Sequence, residues 1–116
     1  MRTDNDLLFD ILDAIEAIDK YTSQGKDRYL SDELIQVWVL HHLQIIGEAC
    51  RTLPKNVQDS EPSIPWKGII GMRNILVHQY SVVDCDLVWE LVENELPVLK
   101  HNIEKMMKRI YMGDKQ

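Results

Sequence analysis

Between Asp6 and Tyr21 the apolar residues Leu7, Leu8, Ile11, Leu12, Ile15, Ile18 and Tyr21 recur at three- and four-residue intervals. That spacing puts them on one face of a helix. From Thr22 to Leu30 the period is lost among Ser23, Gly25 and charged neighbours, which reads as a connection. Ser31, followed by Asp32 and Glu33, fits the N-cap of a second, long helix, with carboxylates near the positive end of its dipole. This helix carries Leu34, Ile35, Trp38, Ile45, Ile46, Ala49 and Leu53, and it ends before Pro54, whose ring disfavours helical geometry in the preceding residue.

Residues Pro54 to Pro65 hold three of the four prolines together with Asn56, Asp59, Ser60 and Ser63, a turn-rich loop with room for one short helical turn. Pro65 fits the first position of a further helix, capped by Ser63 or Ile64. Its stripe is Trp66, Ile69, Ile70, Arg73, Leu76, Val77 and Tyr80, and it runs to about Gln79. Gly68 and Gly71 inside it each cost up to about 1 kcal/mol relative to Ala, which predicts close approach of another helix. Ser81 to Val83 breaks the pattern. Asp84 then caps a last helix bearing Leu87, Val88, Leu91, Leu96, Leu99, Ile103, Met106 and Ile110, kinked at Pro97. Nothing alternates with a period of two and nothing repeats. The expected architecture is all-α: a four-to-five-helix antiparallel bundle forming one domain over residues 1–116.

Composition narrows the functional classes. With 116 residues, 45% of them hydrophobic, the chain can bury a core without disulfides or a structural metal. The longest apolar candidate, Ile35 to Ile46, is interrupted by His41, His42 and Gln44 and is too short to span a bilayer. The acidic N-terminus lacks the basic-then-apolar order of a signal peptide, so the expected location is the cytoplasm. Cys50 and Cys85 lie far apart with no CxxC spacing and are expected to be buried thiols. His41 and His42 are adjacent, hence about 100° apart on a helix, and no ligand spacing accompanies them, so no metal is assigned. Trp38, Trp66 and Trp89 are read as core or dimer-interface residues. A net charge of -6 argues against nonspecific coating of nucleic acid. The positive C-terminal run of Lys100, Lys105, Lys108, Arg109 and Lys115 reads as a solvated helix face.

The chemistry is concentrated in Met72-Arg73-Asn74-Ile75-Leu76-Val77-His78-Gln79-Tyr80. On a regular helix Arg73 and Tyr80 fall within about 20° of each other, but His78 is offset from Arg73 by about 140°. One straight helix cannot converge all three. Either the helix turns near His78, or a second copy of the chain completes the site. A guanidinium donates bidentately to phosphate and stays charged; an imidazole exchanges protons near neutral pH. Together they suit attack of a ribose 2'-hydroxyl on the adjacent phosphorus, with His78 as general acid or base and Arg73 neutralising the transition state. Gln44 and Glu48 stand one turn apart, and Glu48 either buttresses Arg73 or makes a hydrogen bond on the helix surface.

Arg73-Asn74-Ile75-Leu76-Val77-His78-Gln79-Tyr80 matches the R-x4-H-x-Y motif of the HEPN superfamily and resembles its HepT-like branch. So, in order, do Gln44-Ile45-Ile46-Gly47-Glu48-Ala49, Ile64-Pro65-Trp66, Val83-Asp84, Val88-Trp89 and Leu96-Pro97. The resemblance implies the toxin of a type VII-like toxin-antitoxin pair: a homodimeric, metal-independent endoribonuclease acting on RNA. It implies Arg73 and His78 as catalytic residues, Asn74 as their support, and Tyr80 as the hydroxyl to which a MntA-like nucleotidyltransferase antitoxin attaches AMP. No cofactor is implied. The rival from another class is a noncatalytic helical module that holds a nucleotidyltransferase or a nucleotide, with Arg73 binding phosphate and His78 packing.

Overall fold

The structure, a computed structural model, describes residues 2–71 and 85–114. All regular structure among them is helical, as the apolar spacing requires: α1 Asp4–Thr22, α2 Lys26–Ser31, α3 Glu33–Thr52, α4 Lys55–Asp59, α5 over 66–71, α6 Cys85–Glu90 and α7 Leu96–Asp114, the last two joined by a π-helical turn, Leu91–Glu95. The expected continuation of α5 to Gln79, the break at Ser81 to Val83 and the Asp84 cap lie outside the described residues.

Helix α1 starts three residues before Leu7, the first member of its apolar stripe. Thr3 and Asp6 form a reciprocal capping box, Asp6 N–H donating to Thr3 Oγ1 at 3.1 Å and Thr3 N–H to Asp6 Oδ2 at 2.9 Å, and this satisfies two otherwise orphaned donors. Leu7, Leu8, Ile11, Ala14, Ile15 and Ile18 are buried. The antiparallel course is visible from both ends of α1. Near its C-terminus Ala17 O accepts from the Trp38 indole at 2.6 Å, close to the start of α3. At its N-terminus Thr3 and Asn5 share a shallow depression with Asn56 of α4 and Ile110 late in α7. So α1 runs against both α3 and α7, and the core lies between them: Val39, Leu43 and Ile46 of α3 and Ile103 and Met106 of α7 are sealed from solvent.

The expected connection from Thr22 to Leu30 contains α2. Sequence periodicity missed it because a six-residue helix is too short to show a stripe. Three local devices hold it: Gly25 at its start with φ 102° and ψ 166°, a region open essentially to glycine alone; an Arg28–Asp32 ion pair at 3.2 Å; and the Gln36 amide, which donates to Tyr29 O and Leu30 O and caps its last turn. Tyr29 is buried against Trp89 of α6, ring centroids 5.3 Å apart. The N-cap of α3 is Asp32, which accepts from Leu34 N–H at 3.0 Å, and not Ser31. Ser31 closes α2 instead, its hydroxyl donating to Arg28 O. Leu34 stands 81% exposed while Ile35 beside it is buried, because adjacent residues point about 100° apart on a helix and only Ile35 falls on the packed face. Cys50 is buried as expected, whereas Cys85 is half-buried.

Pro97 does not act alone. A proline has no N–H to donate and its ring collides with the carbonyl four residues back. The chain meets both demands upstream, widening into the π-turn in which Leu96 N–H reaches Leu91 O. Trp89 closes the α6 side of this turn through a 2.6 Å indole hydrogen bond to Glu93 Oε2.

Candidate functional site

Arg73, Asn74, His78 and Tyr80 lie outside the described residues. The structure places the fifth expected site residue, Glu48, and the segment that leads into the motif. Glu48 sits on the solvent side of α3, its side chain 44% exposed, and accepts from Arg51 Nη2 at 2.5 Å and Nε at 3.4 Å. This hydrogen bond on the helix surface raises the Arg51 pKa, and the other expected role, buttressing Arg73, falls on a residue outside the described ones. Half-buried Gln44 stands one turn before it.

The lead-in is built from the C-terminus of α3 outward. Gln58 turns back to cap that helix, its amide donating to Cys50 O at 2.9 Å and Leu53 O at 3.1 Å. The same residue's carbonyl, together with Glu61 O, accepts from the Trp66 indole at 2.9 and 3.1 Å. Trp66 is buried. Pro65 precedes the first helical residue instead of occupying that position, with Ile69 N–H donating to Pro65 O at 3.1 Å. From there α5 runs to residue 71, immediately before Met72 and Arg73.

Between α4 and α5 lies a carboxylate with no counterpart in the motif. Glu61 is 4% exposed. Its Oε1 accepts from Ser63 Oγ at 2.5 Å and lies 3.6 Å from Lys105 Nζ, while its Oε2 lies 3.0 Å from Arg109 Nη2. Arg109 also donates to Ser60 O at 3.2 Å. Two cations of the C-terminal run thus pair with one buried anion while staying 53% and 50% exposed themselves, in keeping with a solvated face. No motif could have disclosed Glu61. Its partners are more than forty positions away, and the only local sign is the four-residue spacing of Lys105 and Arg109.

The Ser63 hydroxyl, and then Lys105 and Arg109, hold the Glu61 carboxyl below its ordinary pKa. A carboxylate with a lowered folded-state pKa binds protons more weakly than the unfolded chain does. Its stabilising contribution is therefore complete above the ordinary value of about 4.3 and is lost as the pH falls through the lowered one. Wild-type protein is expected to lose stability on acidification below about pH 5, and Glu61→Gln to show a flatter profile in that window. Thermal melts from pH 6 to 3 check this. Asp6, lowered by Thr3, contributes a slope of the same sign to both proteins.

Beside α5 is an apolar cavity of about 240 Å3, lined by Leu43, Ile46, Ile64, Gly68, Leu96 and Leu99 among others. Among the described residues nothing lies within 4 Å of where a Cβ on Gly68 or Gly71 would stand. Among the described residues the expected close approach of another helix at these glycines is not found. At Gly68 the space opens onto the cavity. No group of three or more His, Cys, Asp or Glu residues able to hold a metal occurs among the described residues, and no described helix is long and apolar enough to cross a membrane.

An all-helical domain in which α1 runs between α3 and α7 and a short helix leads into R-x4-H-x-Y fits a helical HEPN bundle. The model of the family described as "Ribonuclease HepT-like" matches residues 11–106, and the chain belongs to that family. It is 37% identical over 108 residues to "Probable ribonuclease HepT" of Thermococcus cleftensis, covering 92% of this chain and 98% of that protein. It is 36% identical over 104 residues to "Putative RNase MJ1216" of Methanocaldococcus jannaschii, covering 89% of this chain and 86% of that one. A third relative, "Gamma-glutamylcyclotransferase and putative RNase MJ0434" of the same organism, is 38% identical over 101 residues, which are 86% of this chain and 46% of that protein. No solved structure matches the chain with significance.

Proposed function

We propose that this chain is a metal-independent endoribonuclease, the toxin of a type VII-like toxin-antitoxin pair. The observation that carries the reading is that the family match over residues 11–106 spans an intact Arg73, Asn74, His78 and Tyr80. A ribose 2'-hydroxyl attacks the adjacent phosphorus. The new bond is 2'-O–P, the P–O5' bond breaks, and the products are a 2',3'-cyclic phosphate and a 5'-hydroxyl. His78 exchanges the proton that leaves the nucleophile or reaches the leaving oxygen. Arg73 neutralises charge gathering on the phosphoryl oxygens, and Asn74 and Glu48 support that pair. The domain, residues 1–116, acts in the cytoplasm as a homodimer, since the angular offset of Arg73 from His78 on a regular helix favours a site completed by a second copy. A MntA-like nucleotidyltransferase antitoxin attaches AMP to Tyr80, setting a phosphate beside Arg73 where the RNA phosphate would bind.

Purified protein incubated with total RNA in excess EDTA is expected to cleave it, giving fragments with cyclic phosphate ends. Coexpression with such a nucleotidyltransferase is expected to add AMP mass to the Tyr80 peptide and to suppress cleavage. Cleavage that requires added divalent metal would overturn the mechanism, and modification confined to Tyr21, Tyr29 or Tyr111 would overturn the assignment of Tyr80. Binding of the nucleotidyltransferase without any RNA cleavage would favour the noncatalytic module.

A further inference from the structure

Helix α3 has two apolar sides. Its 20 residues run from Glu33 to Thr52, and from Leu34 to Gly47 no Asp, Glu, Lys or Arg interrupts them. One side, carrying Ile35, Val39, Leu43 and Ile46, is buried in the core. At 100° per residue, Leu34, Val37, His41, Gln44, Ile45 and Glu48 fall within an arc of about 100° on the opposite side. Leu34 is 81% and Val37 58% exposed, His41 is exposed, and Gln44 and Ile45 are half-buried. The other two long helices keep charges on their solvent sides: Asp13, Glu16 and Asp19 on α1, Glu104, Lys105 and Lys108 on α7, all exposed. A helix that is apolar nearly all round belongs in an interior, and a contiguous exposed apolar patch poor in charge marks a contact surface.

The ends of this face indicate what covers it. Glu33 and Arg51 are both exposed and stand eighteen residues apart, which is five full turns, so they share one flank of the face about 27 Å from each other. When two copies of α3 lie antiparallel about a two-fold axis, residues whose numbers sum to about 84 oppose each other on the same flank. Glu33 of one copy then meets Arg51 of the other, twice over, Leu40 faces Gln44, and the two helix dipoles run in opposite directions. Arg51 already pairs with Glu48 of its own helix, so the contact across the axis adds Glu33 as a second carboxylate. Between the two ends the face has no Lys or Arg with which to hold a nucleic-acid backbone. The surface is complementary to itself.

We propose that the outer face of α3 is where two copies of this chain pair, antiparallel about a two-fold axis that passes beside His41. Leu34 lies at the edge of this contact, where truncation costs little, and Val37, His41 and Ile45 lie within it. The proposal rests on the homodimer reading above and gives that dimer its surface. It also sets a distance. With helix axes about 8–10 Å apart and Cα atoms about 2.3 Å from each axis, the two copies of residue 41 stand about 5–6 Å apart at Cα, within the span of a disulfide.

Full-length wild type, Val37→Lys, Glu33→Arg, Arg51→Glu and the double variant Glu33→Arg/Arg51→Glu are compared by sedimentation across a dilution series, with helix content measured alongside. Wild type is expected to be a dimer. Val37→Lys is expected to be a folded monomer, since it sets a cation inside the contact twice. Each single charge reversal is expected to weaken the dimer by about 10-fold, and the double variant to recover most of the loss, although its residue 51 still repels Glu48 within the chain. In a Cys85→Ser background, mild oxidation should link His41→Cys into covalent dimers and leave Glu16→Cys, on the outer side of α1, unlinked.

A wild-type dimer that none of these variants shifts, and that His41→Cys does not link, overturns the proposal and leaves the homodimer reading standing. A monomeric wild type overturns both. A Val37→Lys chain that fails to fold shows that the face is covered within the chain itself, which also overturns the proposal. Cleavage of RNA by wild type, measured separately, decides the ribonuclease reading whichever of these results is found.

Discussion

Replacing His78 by Ala is expected to lower the RNA cleavage rate by about 10²–10⁴-fold, the range that a single general acid or base supplies. Helix content and elution volume should stay those of wild type. The expectation follows from the reaction: a 2'-hydroxyl is a poor nucleophile until its proton is drawn off, and the leaving 5'-oxygen is a poor leaving group until it gains one. Arg73 can offset charge at phosphorus but, always protonated, cannot do this exchange. The two side chains therefore fail differently. His78→Ala should flatten the pH–rate profile near neutrality, while Arg73→Ala should depress the rate at all pH values and keep the profile's shape. Single-turnover rates between pH 5.5 and 8.5 distinguish them. If the His78 variant changes its helix content or elution volume along with its activity, the residue is architectural.

The second large effect is on stability. Ile11 is fully buried on α1, the helix that packs against both α3 and α7, and Ile11→Ala is expected to destabilise the domain by about 2–5 kcal/mol. Part of this is lost transfer free energy. The remainder is a cavity that two rigid neighbours cannot close, since three long helices already share one core. A domain of this size has about 5–15 kcal/mol in total, so a substantial fraction of the folding free energy rests on one side chain. Urea denaturation should show the midpoint falling with little change in slope. By contrast Leu34→Ala, at a position 81% exposed, should move it by less than about 0.5 kcal/mol.

The contrast between Ile11 and Leu34 shows where the sequence can be read and where it cannot. The stripe of α1 was legible because nineteen residues give a 3.6-residue period room to repeat, and every strongly apolar member from Leu7 to Ile18 except Leu12 is buried. At the start of α3 the sequence offers Leu34 and Ile35 as an apolar pair, although two adjacent residues stand about 100° apart on a helix and only Ile35 lies on the buried face. Helix α2 was invisible to periodicity for want of length, and its signals were side chains in other elements: the Gln36 amide, and Trp89 against Tyr29. The motif was legible as spacing and chemistry, but Glu61 was not. A lone carboxylate in a loop carries no pattern, and what gives it meaning is the approach of Lys105 and Arg109 in space.

The π-turn at Leu91–Glu95 makes chain length itself a variable at one place. Such a turn contains one residue more than the α-turn it replaces, so removing a residue there closes a regular helix and leaves Trp89 and Ile103 facing the neighbours they face now. The same deletion between Val98 and Asn102 of α7 would rotate everything beyond it by about 100° and swing Ile103 and Met106 off the buried face. The shortened chain would, however, bring the Pro97 ring against the backbone carbonyl one turn earlier. The deletion is thus tolerable chiefly once Pro97 has been replaced.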